Sequence, residues 1–388
     1  MATKTIKKYK HSALVAKHFG FDIQKNLSVS KDSVKLGKLG KKEPKYIDPT
    51  MPPIEEASEM LVKYKAFAKE NGDVPMMIYY DNSATGSHTK LRKRPGEELV
   101  GLHSIGIEDT IAEAVMIKTI DIMLTESGSK NYTLHLNNMG GKESQTLFHR
   151  EATAFFRKNI SLLNANCRQL FKKNVHTLIT EGGDQCKIIK EHAPEPMDFL
   201  AEETRKKFGE LIERVEAFNI SYEINPDILG DLNYSSYTTF KFIENDTGKV
   251  LAAGTRYNLL SKKLALRKEI PAISANIWLE KTKEISDISL DKIDKSTNFV
   301  LQIGREAKTV TLKLLALMLE NKIYAKHSLN RDKVSAQIQL TKKLGTEYLI
   351  IVGHKEALEG NVMIRDFEGK SQKVMSYKEL MAFLKKKS

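Results

Sequence analysis

The chain has only two cysteines, Cys167 and Cys186, in 388 residues. Two thiols are too few for a disulfide framework, and their spacing fits no metal-ligand pattern, so a pair of ordinary reduced thiols is expected. No apolar run approaches the ~20 residues that a membrane helix requires. The Lys-rich N-terminus also lacks the apolar stretch of a secretory signal. A cytoplasmic protein without a membrane partner is therefore expected. The ten histidines are scattered, none in a His-Glu-x-x-His pattern, and no metal site is expected. Nucleotide-binding loops are missing too. Gly140-Gly141-Lys142-Glu143-Ser144 faintly matches the end of a P-loop. Leu136, however, stands where a first glycine is needed, and Glu143 replaces the hydroxyl that would hold a metal. No Gly-x-Gly-x-x-Gly follows a strand, which leaves a dinucleotide fold without support.

What is present is a globular composition, 41% hydrophobic and 29% charged. The length suits two or three compact units. The formal net charge is +13, and it is uneven. Residues 1–48 hold twelve lysines against four acids, so 12 − 4 places +8 of the total there. Such a segment suits a phosphate-rich partner, with Lys38, Lys41 and Lys42 as RNA-binding candidates. A solvated tail that only aids solubility explains it equally well. Thr89–Arg94 places four cations in a loop, where they could hold phosphates or simply face water.

Hydrophobic periodicity divides the chain. Residues 1–48 form a basic segment with a short helical pattern (Ala13, Leu14, Ala16, Phe19) and a flexible Lys35–Lys45 stretch. A core spans residues 49–144 and 223–290. It opens with a helix over Ile54–Asn71, bounded by Pro53 and Gly72. Strands Pro75–Tyr80 and Glu97–Ile107 follow, then a helix over Asp109–Ser127, a strand from Tyr132 to Leu136, and a hairpin, Tyr237–Glu244 with Lys249–Tyr257. Residues 145–222 read as a helical insertion. A polar boundary near Ser286–Ser296 precedes residues 297–388, where strands and helices alternate as in an α/β domain. The predicted class is α+β.

Several segments, in a fixed order, resemble the histidyl-tRNA synthetase family. Ala193–Leu200 through Glu202–Arg205 to Asn219–Pro226 is similar to the stretch leading into that family's histidine site. Leu232–Phe240 and Ala253–Asn258 resemble its two histidine signatures. Glu98-Leu99-Val100-Gly101 is similar to the segment after motif 2, and Leu134–Ser144 to the loop beyond it. Pro271-Ala272-Ile273 with Leu279-Glu280-Lys281 falls where motif 3 should, and Gly345–Val352 with Glu359–Asp366 resembles the anticodon-binding domain. The resemblance covers residues 75–388. It implies an antiparallel class II synthetase core, an anticodon-binding α/β domain, tRNA or another structured RNA as partner, and a homodimer.

It also implies a chemistry for which this chain lacks parts. The family activates histidine at the α-phosphate of ATP, a displacement that depends on positioned cations. The motif 2 arginine maps near Gly86 and the first signature's arginine onto Gly230. The motif 3 arginine is Lys281, a point charge without the guanidinium's two-pronged grip. Trp278 replaces a motif 3 glycine beside the nucleotide, and Pro49–Pro53 stands near the place of a Glu-Gly-Thr segment. The nucleotide-site remnants are then Arg92, Arg94, Trp278 and Lys281. The amino-acid pocket candidates are Glu98, Tyr234, Arg256 and Tyr257, with a Glu98–Arg94 ion pair as the plainer reading of Glu98. Lys326, Arg331, Lys342 and Lys343 are the RNA-binding candidates of the C-terminal domain. The expectation is a non-catalytic synthetase-like protein that binds RNA or regulates a partner, with no cofactor. An active histidine–tRNA ligase using ATP and Mg is the alternative. A regulatory subunit like the synthetase-like partner of ATP phosphoribosyltransferase ranks third, since that relative lacks the anticodon-binding domain.

Overall fold

A computed structural model describes residues 8–24, 27–31, 33, 48–81, 94–183, 186–264, 266, 268–280, 284–331, 333–367 and 371–387. Its centre is a mixed sheet built from β2 (Asp22–Gln24), β3 (Met76–Asp81), β4 (Glu97–Ile105), β5 (Tyr132–Asn138), β6 (Tyr222–Ile224), β7 (Ser236–Glu244), β8 (Val250–Arg256) and β9 (Ala272–Glu280). The order is β2-β3-β4-β9-β8-β7-β5-β6. The pairs from β3 through β9, β8 and β7 to β5 are antiparallel, and only the outer strands β2 and β6 run parallel to their neighbours. A two-stranded ladder joins β1 (Lys8–Lys10) to β10 (Glu284–Ser286). The class is α+β, as the sequence predicts.

The helix Ile54–Asn71 lies where its apolar spacing puts it. Pro53 enters it in an extended conformation, and Gly72 ends it at φ 75°, a backbone region that costs little only without a Cβ. Its buried stripe of Ile54, Ala57, Met60, Leu61 and Tyr64 covers one face of the sheet, each large side chain contributing ~1.5–3 kcal/mol. The opposite face is covered by helix Ile111–Glu126. From Lys142 to Ala217 the chain is helical, except for short turns. The C-terminal sheet has the order β12-β11-β13-β14-β15, using β11 (Asn298–Gln302), β12 (Lys326–His327), β13 (Tyr348–Val352), β14 (Asn361–Asp366) and β15 (Gln372–Ser376). The first three of these run parallel and the last two antiparallel.

Three expectations need correction. Residues 8–24 are no separate tail: helix His11–His18 buries Ala13, Val15 and Ala16 in the main core, and Phe19 and Phe21 follow them. The Lys35–Lys45 stretch lies outside the described residues. The polar boundary near Ser286–Ser296 is largely a helix, Asp287–Asp294, whose Leu290 and Ile293 pack on Leu14. Cys167 and Cys186 are bonded to each other rather than reduced. The fold of the insertion brings their Cα atoms to 6.2 Å, within disulfide reach, which spacing alone does not reveal. No described helix is long and apolar enough to cross a membrane.

One apolar cluster runs from Val15 through Ile117 to Leu315 and Ile350, so the C-terminal domain shares the core of the central one. Asp109 reinforces the seam. It meets Lys308 of the C-terminal domain at 2.8 Å and Arg214 at 3.3 Å. Burial alone would raise its carboxyl, yet the two cations hold it below the usual range. Two histidines also lie in this seam. His18 Nε2 donates to the Leu315 carbonyl at 2.8 Å, and burial lowers the pKa of both His18 and His327 to about 4.

Two stability measurements follow from this packing. The disulfide closes a loop with a sequence separation of 19, so reduction should cost roughly 3 kcal/mol. The urea midpoint is expected to fall with reductant, and equal midpoints would show that the crosslink carries no stability. The second concerns acid. His18 and His327 stay neutral when folded but take protons when unfolded below about pH 6.5. Stability should therefore fall as pH drops from 6.5 towards 4, by up to ~1.4 kcal/mol per pH unit for each ring. Urea titrations across that window are expected to show a shallower fall in His327→Gln.

Candidate active-site face

Strand alternation sorts the candidate residues onto two faces. Along β4, Val100 and Leu102 join Tyr79 in the main core, while Ile105 joins Tyr80, Tyr234 and Tyr257 in a second cluster under helix Ile54–Asn71. Gly101 and His103 share this second face. A Cβ on Gly101 would lie 2.2 Å from the Tyr80 ring, so the tyrosine rests directly on the strand.

On this face, polar contacts connect three aromatic residues in series. Tyr80 donates its hydroxyl proton to Glu56 Oε2 at 2.8 Å. The same hydroxyl lies 3.2 Å from His103 Nε2, and His103 Nδ1 lies 2.9 Å from the Tyr257 hydroxyl. Proton counting selects one arrangement: Tyr257 donates to Nδ1, Nε2–H donates to Tyr80, and Tyr80 donates to Glu56. The series needs a neutral imidazole. Burial supplies it by lowering the His103 pKa to about 3 and raises that of Tyr257 well above the usual phenol. The Tyr80 and His103 rings stack at 5.4 Å, and Tyr234 meets Tyr257 edge-on at 6.3 Å. All four side chains are 0–1% exposed.

The neighbouring surface, onto which the resemblance maps the nucleotide, is also covered. Met51 is fully buried against Ile228 and Ala253. Its segment is held down by Lys241 on Asp48 at 2.8 Å, by Asn276 donating to the Thr50 carbonyl at 3.3 Å, and by the Tyr234 hydroxyl donating to the Pro52 carbonyl. Trp278 is 3% exposed, with the Arg94 guanidinium 4.2 Å above its ring. Arg94 also donates to the Val250 carbonyl at 2.6 Å and faces Glu97 at 3.6 Å. Gly230 sits at φ +67°, and a Cβ there would meet Ser235 Oγ at 2.7 Å. An arginine could not stand there without moving the backbone. Among the described residues, an indole and a methionine fill this surface, and the Arg94 guanidinium is already engaged.

The other candidates scatter. Glu98 lies on the main-core side of β4 and faces Lys10 at 3.5 Å, not Arg94. Strand parity separates it from Tyr234 and Tyr257, so those two candidates converge without it. Arg256 likewise turns away from Tyr257. It forms a two-pronged pair with Glu113, at 2.5 Å on both Nε and Nη2, and donates to the Ile107 carbonyl. Lys342 and Lys343 are exposed in the last turn of helix Val334–Lys343. Arg331 precedes that ten-residue helix, so it lies about 15 Å away, at the other end. Lys326 begins edge strand β12. Arg92, Lys281, Lys38, Lys41, Lys42 and Gly86 lie outside the described residues. Sequence reasoning missed Tyr80, His103, Glu56 and Glu113. Period-two alternation could have put His103 and Gly101 on one face, but nothing local shows that Glu56 lies above them.

The chain is similar to known proteins over most of its length. The anticodon binding domain family matches residues 298–387. The histidine–tRNA ligase of Acetivibrio thermocellus is 25% identical over 317 residues, which cover 80% of this chain and 76% of that one. The Bacillus licheniformis ligase is 24% identical, with 80% and 73% covered. Among solved structures, apo S. aureus histidyl-tRNA synthetase aligns over 96% of this chain and 93% of its own, at 18% identity and a TM-score of 0.49. A Bacillus halodurans C protein described as an ATP phosphoribosyltransferase regulatory subunit/histidyl-tRNA synthetase aligns over 88% and 92%, at 13% identity and a TM-score of 0.44. The chain is thus similar to histidine–tRNA ligases over about four fifths of its length, at a quarter identity, and carries an anticodon binding domain at residues 298–387.

Proposed function

We propose that this chain is a non-catalytic histidyl-tRNA synthetase-like protein that binds tRNA or another structured RNA, as a homodimer. The observation that carries the reading is volume. Tyr80, His103, Tyr234 and Tyr257 are 0–1% exposed and in mutual contact, which leaves no room among them for an amino acid. Adenylation would also need cations around the α-phosphate, where removing one preorganised donor typically costs ~10²–10³ in rate. Arg94 is already held by Trp278, Glu97 and the Val250 carbonyl.

The RNA part of the reading rests on the anticodon binding domain match, the net charge of +13, and Lys342 and Lys343 exposed on one helix end. Regulation of a partner enzyme, such as an ATP phosphoribosyltransferase, would use the same filled pocket. It would leave the anticodon-binding region without a task, so it is the second reading.

Two measurements test the proposal. ATP–pyrophosphate exchange with each of the standard amino acids is expected to stay at background, and histidine-dependent exchange would return the chain to the ligases. Retention of tRNA should weaken steeply with salt, with a slope of about −0.7 to −0.9 in log K per phosphate contacted. Lys342→Glu with Lys343→Glu should flatten that slope by roughly one contact each. A protein that ignores tRNA and other structured RNAs at low salt ends the RNA reading.

A further inference from the structure

A cavity of about 320 Å³ opens away from the aromatic-filled face. Helix Glu202–Ala217 forms one wall, and the start of helix Ile111–Glu126 with the ends of β7 and β8 forms the other. Its floor is the Arg256–Glu113 pair, to which Thr238 donates at 3.2 Å. That pair is internally satisfied, so the floor is stiff and close to neutral.

The wall nearest the strands offers donors with nothing to bind. Asn138 and Asn258 are 3% and 8% exposed. Their amide oxygens accept from the backbone N–H groups of Gly140 and Ala272. Their NH2 groups have no protein partner among the described residues. Thr110 is 6% exposed, and its hydroxyl has no partner either. A buried polar group left unpaired, such as the Thr110 hydroxyl, costs about 1–3 kcal/mol, and two amide NH2 groups without a protein partner stand beside it on the cavity wall, so this wall calls for an acceptor. The helical wall is the reverse. Glu108 and Glu203 share Lys207, each at 2.9 Å. Across the mouth, Glu269 takes Lys262 at 2.9 Å and the Tyr237 hydroxyl at 3.2 Å. Three carboxylates thus face two ammonium groups. Phe208 and Pro271 supply apolar surface between the walls.

We infer that this cavity binds a small zwitterion of α-amino-acid size, its carboxylate on the Asn138, Asn258 and Thr110 donors and its ammonium on the Glu108–Glu203 side. A bare amine would leave the donors unpaired, and a phosphorylated ligand would face the surplus carboxylate charge. A divalent ion is disfavoured because no three described His, Cys, Asp or Glu side chains converge to hold one. The volume lies at the low end for small-molecule sites. The site is separate from the pocket filled by Tyr80 and His103, so it stands whether or not the chain binds RNA.

The test is calorimetry and thermal unfolding of the full chain against free amino acids at millimolar concentration. Each amino acid is run beside its decarboxylated amine and its deaminated acid. At least one zwitterion should bind and raise the unfolding temperature, with its amine and acid counterparts at least tenfold weaker. Thr110→Val and Glu203→Gln should each weaken binding tenfold or more, while the unliganded unfolding temperature stays within a few degrees. No binding by any zwitterion overturns the inference. So does an amine or an acid that binds equally well, or an affinity unchanged in both variants.

Discussion

A fully buried histidine, kept neutral at ordinary pH by desolvation, organises the face under helix Ile54–Asn71. His103 accepts from Tyr257 and donates to Tyr80, which donates to Glu56. Every polar atom in the series has a partner, so the cluster can stay dry without the cost of a stranded donor. Remove the imidazole and two buried phenols lose partners at once. This closed series lets helix Ile54–Asn71 lie flat on the sheet, and it also denies a ligand the space beneath that helix.

The second constraint is ionic and lies at the other edge of the core. Asp109 binds Lys308 and Arg214, and four residues on, Glu113 holds Arg256. Buried pairs of this kind add little net stability but are costly to break singly. Their value here is geometric. They fix the start of helix Ile111–Glu126 against both the insertion side and the C-terminal domain, and they form the floor of the polar cavity. The two regions meet around the ends of β7 and β8 yet are chemically opposite. One is filled by aromatic rings with all hydrogen bonds made, and the other is open with donors unspent.

The fold was largely legible in the sequence. Helix Ile54–Asn71 and the β7–β8 hairpin fall where their patterns predict, because each presents a regular apolar pattern between clear breakers. Edge strand β12 is short, only Lys326–His327. Lys322 adopts φ 58°, a left-handed turn that delays pairing. The N-terminal segment was misjudged because lysines dominate its composition while Ala13, Val15, Ala16 and Phe19 do the packing. The candidate site was only half legible. Tyr234 and Tyr257 do converge, since their signatures lie on neighbouring elements around β7 and β8. Glu98 and Arg256 sit on the opposite parity, and a single position along a strand turns a side chain through the sheet.

Residue identity alone fixed which groups stand at the positions the resemblance singles out. Glycine at position 230 and tryptophan at 278 are facts of composition and order, as are the segments shared with the synthetases. Which side chains fill the resulting space was decided only by folding. Glu56, Tyr80, His103 and Tyr257 are separated by 24, 23 and 154 positions, and hydrogen bonds across such intervals depend on sheet register and helix docking rather than on local pattern. The disulfide and the paired floor of the cavity belong to the same class. Each joins groups whose distance is set by the packed core, and no spacing along the chain encodes it.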